Sequence, residues 1–132
     1  MNDEMRRKLI EAAKEVMKNS YSPYSNFKVG SALLTESGKI YTGCNVENAS
    51  YGATNCAERT AIFKAVSEGE RKIKAIAIVS SSNEYTYPCG ICRQVIAEFM
   101  LDGEVILENK EGNILIENIN DILPNAFRGE ML

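Results

Sequence analysis

The stretches Cys56-Ala57-Glu58-Arg59 and Pro88-Cys89-Gly90-Ile91-Cys92-Arg93 decide how the rest of the chain is read. Each stands where a helix is expected to begin, and together they hold three of the four cysteines. A thiolate at a helix N-terminus is stabilised by unpaired backbone N–H groups and by the positive end of the helix dipole, so it is a ready metal ligand. We read the two stretches as halves of one zinc site. A structural zinc is normally closed by four protein ligands, whereas a catalytic zinc keeps three and leaves a position for water. Cys56, Cys89 and Cys92 in a chain without histidine therefore favour an open site. Glu58, two residues after Cys56, is placed to take a proton from a metal-activated water without itself ligating, which is the equipment of metal-assisted hydrolysis. The same Cys-x-x-Cys after a strand also suits a thioredoxin-type redox pair, against which stand Cys56 and Glu58.

Length and composition set the frame around that site. The 132 residues are read as one domain, residues 1–132, with room for a real core and none for a separate regulatory module. A composition of 45% hydrophobic and 25% charged residues is that of an ordinary globular protein, without repeats or low-complexity runs. A net charge of −3 offers no electrostatic footprint for a polyanion, so nucleic acid is not an expected partner. Met1 to Lys8 lacks the apolar run of a secretory signal, and no stretch approaches the ~20 apolar residues of a membrane span. The expected location is the cytoplasm, with no membrane partner, and reduced thiols there favour metal binding over disulfides.

Along the chain, Met5, Leu9, Ala12, Ala13, Val16 and Met17 recur at helical spacing from Asp3 to about Asn19, with Asn2 or Asp3 as cap and Pro23 beyond the end. Phe27 to Leu34 and Ile40 to Asn45 read as a hairpin around Thr35-Glu36-Ser37-Gly38-Lys39. Ala53-Thr54-Asn55 supplies cap chemistry for a helix from Cys56 to about Ser67. Ile73 to Ser80 is apolar enough for a strand buried on both faces, expected to run parallel to the strand that follows. Pro88 to about Met100 forms the second metal-bearing helix. Val105 to Leu107 and Ile114 to Ile116 read as strands around a loop too short for a parallel crossover, and Asp121 to Leu123 as a helical turn.

Cys-x-Glu followed by Pro-Cys-x-x-Cys resembles the signature of the zinc-dependent nucleoside and base deaminases. Asn45-Val46-Glu47-Asn48-Ala49-Ser50-Tyr51-Gly52 leading into Cys56, together with Tyr24-Ser25-Asn26-Phe27-Lys28-Val29-Gly30 and Leu123-Pro124-Asn125-Ala126-Phe127, is similar to the small cytidine deaminases whose ligands are all cysteine. That resemblance implies a three-layer α/β/α fold on a five-stranded mixed sheet and one Zn²⁺ per chain. It implies hydrolysis of cytidine and 2′-deoxycytidine to the uridines and ammonia, in pyrimidine salvage, with Glu58 as the proton shuttle. In it Phe27 stacks on the pyrimidine, Asn45 and Glu47 hold the ribose hydroxyls, and Ala57, Tyr51 and Phe127 belong to the substrate site. Arg59 and Arg93 would offset the thiolate charge from behind the ligands. The family assembles as homotetramers in which neighbours finish each site, the setting implied for Tyr51 and Phe127. Cys44, a small buried hydrophobe at a strand end, and Tyr87, where a smaller residue is expected, depart from the pattern. Two further readings stand beside this one: a deaminase of another aminopyrimidine nucleoside such as blasticidin S, and a non-catalytic zinc-binding domain of the same fold. The Asn45 and Glu47 pair argues against the first, and retention of Glu58 against the second.

Overall fold

In the computed structural model, which describes residues 1–132, Asn2 caps the first helix: its side chain accepts the Met5 N–H at 2.9 Å. Helix α1 (Asp3–Met17) carries Leu9, Ile10 and Ala13 onto the sheet. Ile10 is a core residue that the expected stripe left out, because the sheet covers a wider arc of the helix than one row of side chains. Strands β1 (Val29–Thr35) and β2 (Ile40–Cys44) form the expected hairpin, closed by Gly38 at φ +93°, a conformation that glycine adopts without steric cost. The first strand begins two residues later than the sequence suggests. Asn26, at φ +59°, ends a turn there and holds Phe27 outside the ladder.

Helix α2 (Ala57–Ser67), strand β3 (Ile73–Ser80), helix α3 (Gly90–Phe99), strands β4 (Glu104–Glu108) and β5 (Ile114–Asn118), and the short helix α4 (Ile119–Ile122) complete the chain. The sheet order is β2-β1-β3-β4-β5, and only the β3–β4 pair is parallel. This is the five-stranded mixed sheet that the resemblance implied. The local expectation of a hairpin between the last two strands also holds.

The pleat of β3 sorts the two faces. Ala75, Ala77 and Val79 turn their small side chains under α1, while Ile76 and Ile78 face α2 and α3 with Leu33, Ile62, Ile96 and Leu107. Full burial of each such Ile or Leu contributes about 1.5–3 kcal/mol, so the face beneath α2 and α3 carries much of the apolar core. No helix is long and apolar enough to cross a membrane.

The helix carrying Glu58 lies unusually close to β2. A Cβ on Gly43 would stand 2.4 Å from the Ala61 N and 2.8 Å from the Ala57 O, so only glycine lets the α2 backbone sit where it does. We expect Gly43→Ala to lower stability by about 1–3 kcal/mol, the range for overpacking, with a matching fall in the urea midpoint of the zinc-loaded protein. Gly129→Ala, whose new methyl would meet nothing nearer than 3.7 Å, should leave the midpoint unchanged.

Candidate active site

Three sulfurs converge from two helix starts. Cys56 is the residue that caps α2 and Cys89 the one that caps α3, while Cys92 lies in the first turn of α3. The expected cap chemistry of Ala53-Thr54-Asn55 is used elsewhere: Thr54 Oγ1 accepts the Asn48 N–H, and Asn55 Nδ2 donates to Thr60 Oγ1, both at 3.1 Å. The Cys56 side chain makes no cap bond to the α2 terminus, whose first N–H groups lack helical acceptors. All three Sγ atoms lie within 4.8 Å of one another, and those of Cys56 and Cys89 are 3.8 Å apart. A zinc–thiolate bond of about 2.3 Å makes a tetrahedral sulfur–sulfur edge about 3.8 Å, so the donor set and its spacing fit zinc. Cys44 is buried at the end of β2, outside this group.

The titration of the cysteines points the same way. The Cys56 thiol is pulled down to about 5, first by its hydrogen bond with Cys92 and then by the Arg59 guanidinium, while burial works against the shift. The same bond pushes Cys92 up, and burial adds to the rise. Arg59 donates from Nη2 to the Cys56 Sγ at 3.2 Å, and its Nε is buried with no hydrogen-bond partner. Arg93 is held differently. Its guanidinium donates to the carbonyls of Pro88 and Ile122, each at 2.8 Å, and lies 5.9 Å from the ring centre of Tyr87, so it braces the ligand loop from behind by way of backbone oxygens. The Tyr87 hydroxyl donates to Glu117 on β5 at 3.2 Å.

Glu58, in the first turn of α2, is only 4% exposed. Burial is the main reason its carboxyl is pushed up to about 7, with the negative charge of Cys56 adding to the shift. A cation on the sulfurs opposes that rise. The structure thus encloses the carboxyl beside the clustered sulfurs.

A cleft of about 280 Å³ opens over these residues. Cys56, Ala57, Glu58 and Cys89 lie along it together with Phe27, Asn45 and Glu47. A larger polar groove, about 440 Å³ beside Lys14 and Lys110, holds none of the metal ligands, so the chemistry places the site in the smaller cleft. Asn45 is nearly buried and already employed: Nδ2 donates to the Phe27 O at 2.7 Å, and Oδ1 accepts the Val29 N–H at 2.9 Å. One amide N–H is thereby left for a ligand. The Glu47 carboxylate accepts from the N–H groups of Tyr24 and Ser25 at 2.9 and 3.2 Å and from the Ser25 hydroxyl; the last of these is the chief reason its pKa is lowered. Ser25 and Thr86 also line the cleft without having been singled out from the sequence. The only hint at Ser25 was a hydroxyl two residues before Phe27. Tyr51, 79% exposed, packs edge-on against Tyr24 at 6.4 Å, and Phe127 is 56% exposed on the tail; neither lines the cleft of its own chain.

A family model described as the cytidine and deoxycytidylate deaminase zinc-binding region matches residues 3–108. Cytidine deaminases from Sporosarcina psychrophila and Halalkalibacterium halodurans are 52% and 49% identical to the chain over 126 residues, 95% of its length and 93% and 96% of theirs. The crystal structure of cytidine deaminase from Burkholderia pseudomallei matches with a TM-score of 0.88 at 49% identity, covering 96% of this chain and 100% of that one.

If the three converging sulfurs are the ligands, metal analysis of purified Cys44→Ala should return about one zinc per chain, as for the parent. Cys89→Ala should have lost most of it. Zinc missing from the Cys44 variant would overturn the assignment.

Proposed function

The chain belongs to the cytidine and deoxycytidylate deaminase family, and on that premise we propose that it hydrolyses cytidine and 2′-deoxycytidine to the corresponding uridines and ammonia. The observation that carries this reading is a buried carboxylate, Glu58, beside three clustered sulfurs at a cleft whose wall bears Phe27, Asn45 and Glu47. Cys56, Cys89 and Cys92 would hold the zinc, which when bound would make a water acidic enough to react near neutral pH. The remaining work falls to the side chains. Glu58 would take one proton from the attacking water and deliver it to N3 of the pyrimidine, then take the remaining proton from the hydroxyl added at C4 and give it to the departing amino group, acting as base and acid in turn. Burial raises the proton affinity of this carboxyl, which favours its acting as an acid as well as a base.

Phe27 stacks on the ring, and the N–H of Ala57, at the start of α2 where helical acceptors are lacking, donates to the base. Asn45 offers its remaining N–H to the sugar and Glu47 accepts from the sugar hydroxyls. Arg59 holds positive charge against the Cys56 sulfur and so limits the negative charge that three thiolates bring to the site. Arg93 keeps the Cys89–Cys92 turn in place through the Pro88 carbonyl.

The working unit proposed is a homotetramer of one-domain chains in the cytoplasm, acting on free nucleosides and binding neither nucleic acid nor membrane. A net charge of −3 supports the absence of a polyanion partner. Tyr51 and Phe127, exposed beside the mouth or on the tail and absent from their own cleft, would be buried by neighbouring subunits and complete the neighbours' sites.

An ultraviolet assay of the zinc-loaded protein with cytidine, 2′-deoxycytidine, cytosine and blasticidin S tests the reading; turnover of blasticidin S alone would replace it. Glu58→Gln should keep its zinc and its fold yet lose at least ~10²-fold in turnover, the low end for a general acid/base. Near-parental rates in a cytidine-free preparation would dismiss the proton shuttle.

For assembly, the expected elution is near four times the 14.6 kDa chain mass. Phe127→Ala should weaken substrate binding more than a peripheral change does, and mixing it with inactive Glu58→Gln subunits should give hybrid sites that bind substrate as the parent does. A fully active monomer would refute the shared site.

A further inference from the structure

Two parts of the cleft wall meet at one side chain. The turn that ends on Phe27 runs through Tyr24, Ser25 and Asn26, is closed by the Asn26 N–H donating to the Ser22 O at 3.0 Å, and leaves Asn26 at φ +59°. Glu47 comes from a different segment, after β2, and its carboxylate sits on the turn. Oε1 accepts the Tyr24 and Ser25 N–H groups, and Oε2 accepts the Ser25 hydroxyl. The Ser25 oxygen in turn accepts the Phe27 N–H at 3.0 Å. Ser25 is therefore the one side chain bonded both to the carboxylate and to the backbone of the aromatic, and it lines the cleft itself.

From this we infer that Ser25 is a positioning residue that couples the sugar-holding end of the cleft to the ring-stacking end. The inference rests on the nucleoside reading above. A carboxylate oxygen has two lone-pair sites. With Ser25 on one of those of Oε2, the other is held toward the cleft, where a sugar hydroxyl donates to it. Of the two secondary hydroxyls of ribose, only the 3′-hydroxyl is common to cytidine and 2′-deoxycytidine, and that is the group Ser25 places Glu47 to receive. Removing the Ser25 hydroxyl leaves Oε1 on its two backbone donors and frees Oε2 to turn. It also strips the Phe27 N–H of its acceptor at a place that bound substrate would seal from water.

The effect is on binding and not on chemistry, because the bonds of Ser25 reach neither Glu58 nor any of the cysteines. Ser25→Ala should thus raise KM for cytidine by about 10-fold, the size of one hydrogen bond to a charged group, with kcat nearly unchanged. The distinguishing readout is a cycle between enzyme and substrate. With 3′-deoxycytidine, read as KM or as an inhibition constant against cytidine, Glu47 has no hydroxyl to receive, and Ser25→Ala should cost about 3-fold or less. Ser25→Thr, which keeps the hydroxyl, should restore most of the parental KM. Circular dichroism and zinc content of each variant establish that the fold is intact. A turn that was merely loosened would raise the constants for both substrates equally, and that result overturns the inference, as does a parental KM for cytidine in Ser25→Ala. Absence of cytidine turnover by the zinc-loaded parent would instead bring down the nucleoside reading itself.

Discussion

Three sulfurs must come within reach of one cation from two helices that the chain separates by a buried strand. Everything else in the molecule serves that approach. The first turns of α2 and α3 bring Cys56 and Cys89 to 3.8 Å from one another, and both helices lie on the same face of the sheet over Ile76 and Ile78. Unscreened thiolates so close would repel. Arg59, bonded to the Cys56 sulfur, and two helix N-termini supply positive potential that makes a thiolate tolerable there.

The position of α2 is set by a missing side chain. Gly43 in β2 allows the helix backbone to approach until Ala57 and Ala61 are fully buried, and Glu58 is carried inward with them. A carboxylate pressed into that enclosure has its charged form disfavoured, so its proton affinity rises toward the range in which it can accept and release at neutral pH. The glycine and the burial of Glu58 are thus linked through packing: the close contact that the core requires also removes this carboxyl from water.

On the opposite wall, polar groups do the positioning that apolar packing does around the metal. Asn45 spends its carbonyl and one N–H on the backbone flanking Phe27, and Glu47 spends its carboxylate on the turn before it. Residues that would contact the sugar are therefore also the braces of the residue that would contact the base. Such double use leaves the wall prearranged and lowers the ordering cost of binding.

Sequence alone brought out the three cysteines that the structure gathers within 4.8 Å, the carboxylate near them, and the existence and approximate extent of each principal helix and strand, because these depend on residue type at short spacing: two cysteines within one helical turn, a carboxylate two residues from a third, apolar periods of two or 3.6. Local rules also identified the last hairpin, since a short loop cannot make a parallel crossover. What they could not reach was set by contacts between distant segments. That Ile10 belongs to the core depends on the width of the sheet across α1. That Arg59 meets sulfur while Arg93 meets carbonyls depends on which way each first turn faces once the helices are docked. Equivalent positions in two motifs suggested equivalent roles, and only the tertiary arrangement separated them. The same holds for Ser25 and Glu47, which lie 22 residues apart and meet only because the chain between them folds back through the β1–β2 hairpin. Spacing along a chain reports what one helix or strand can present; what two elements present to each other is decided by how they pack.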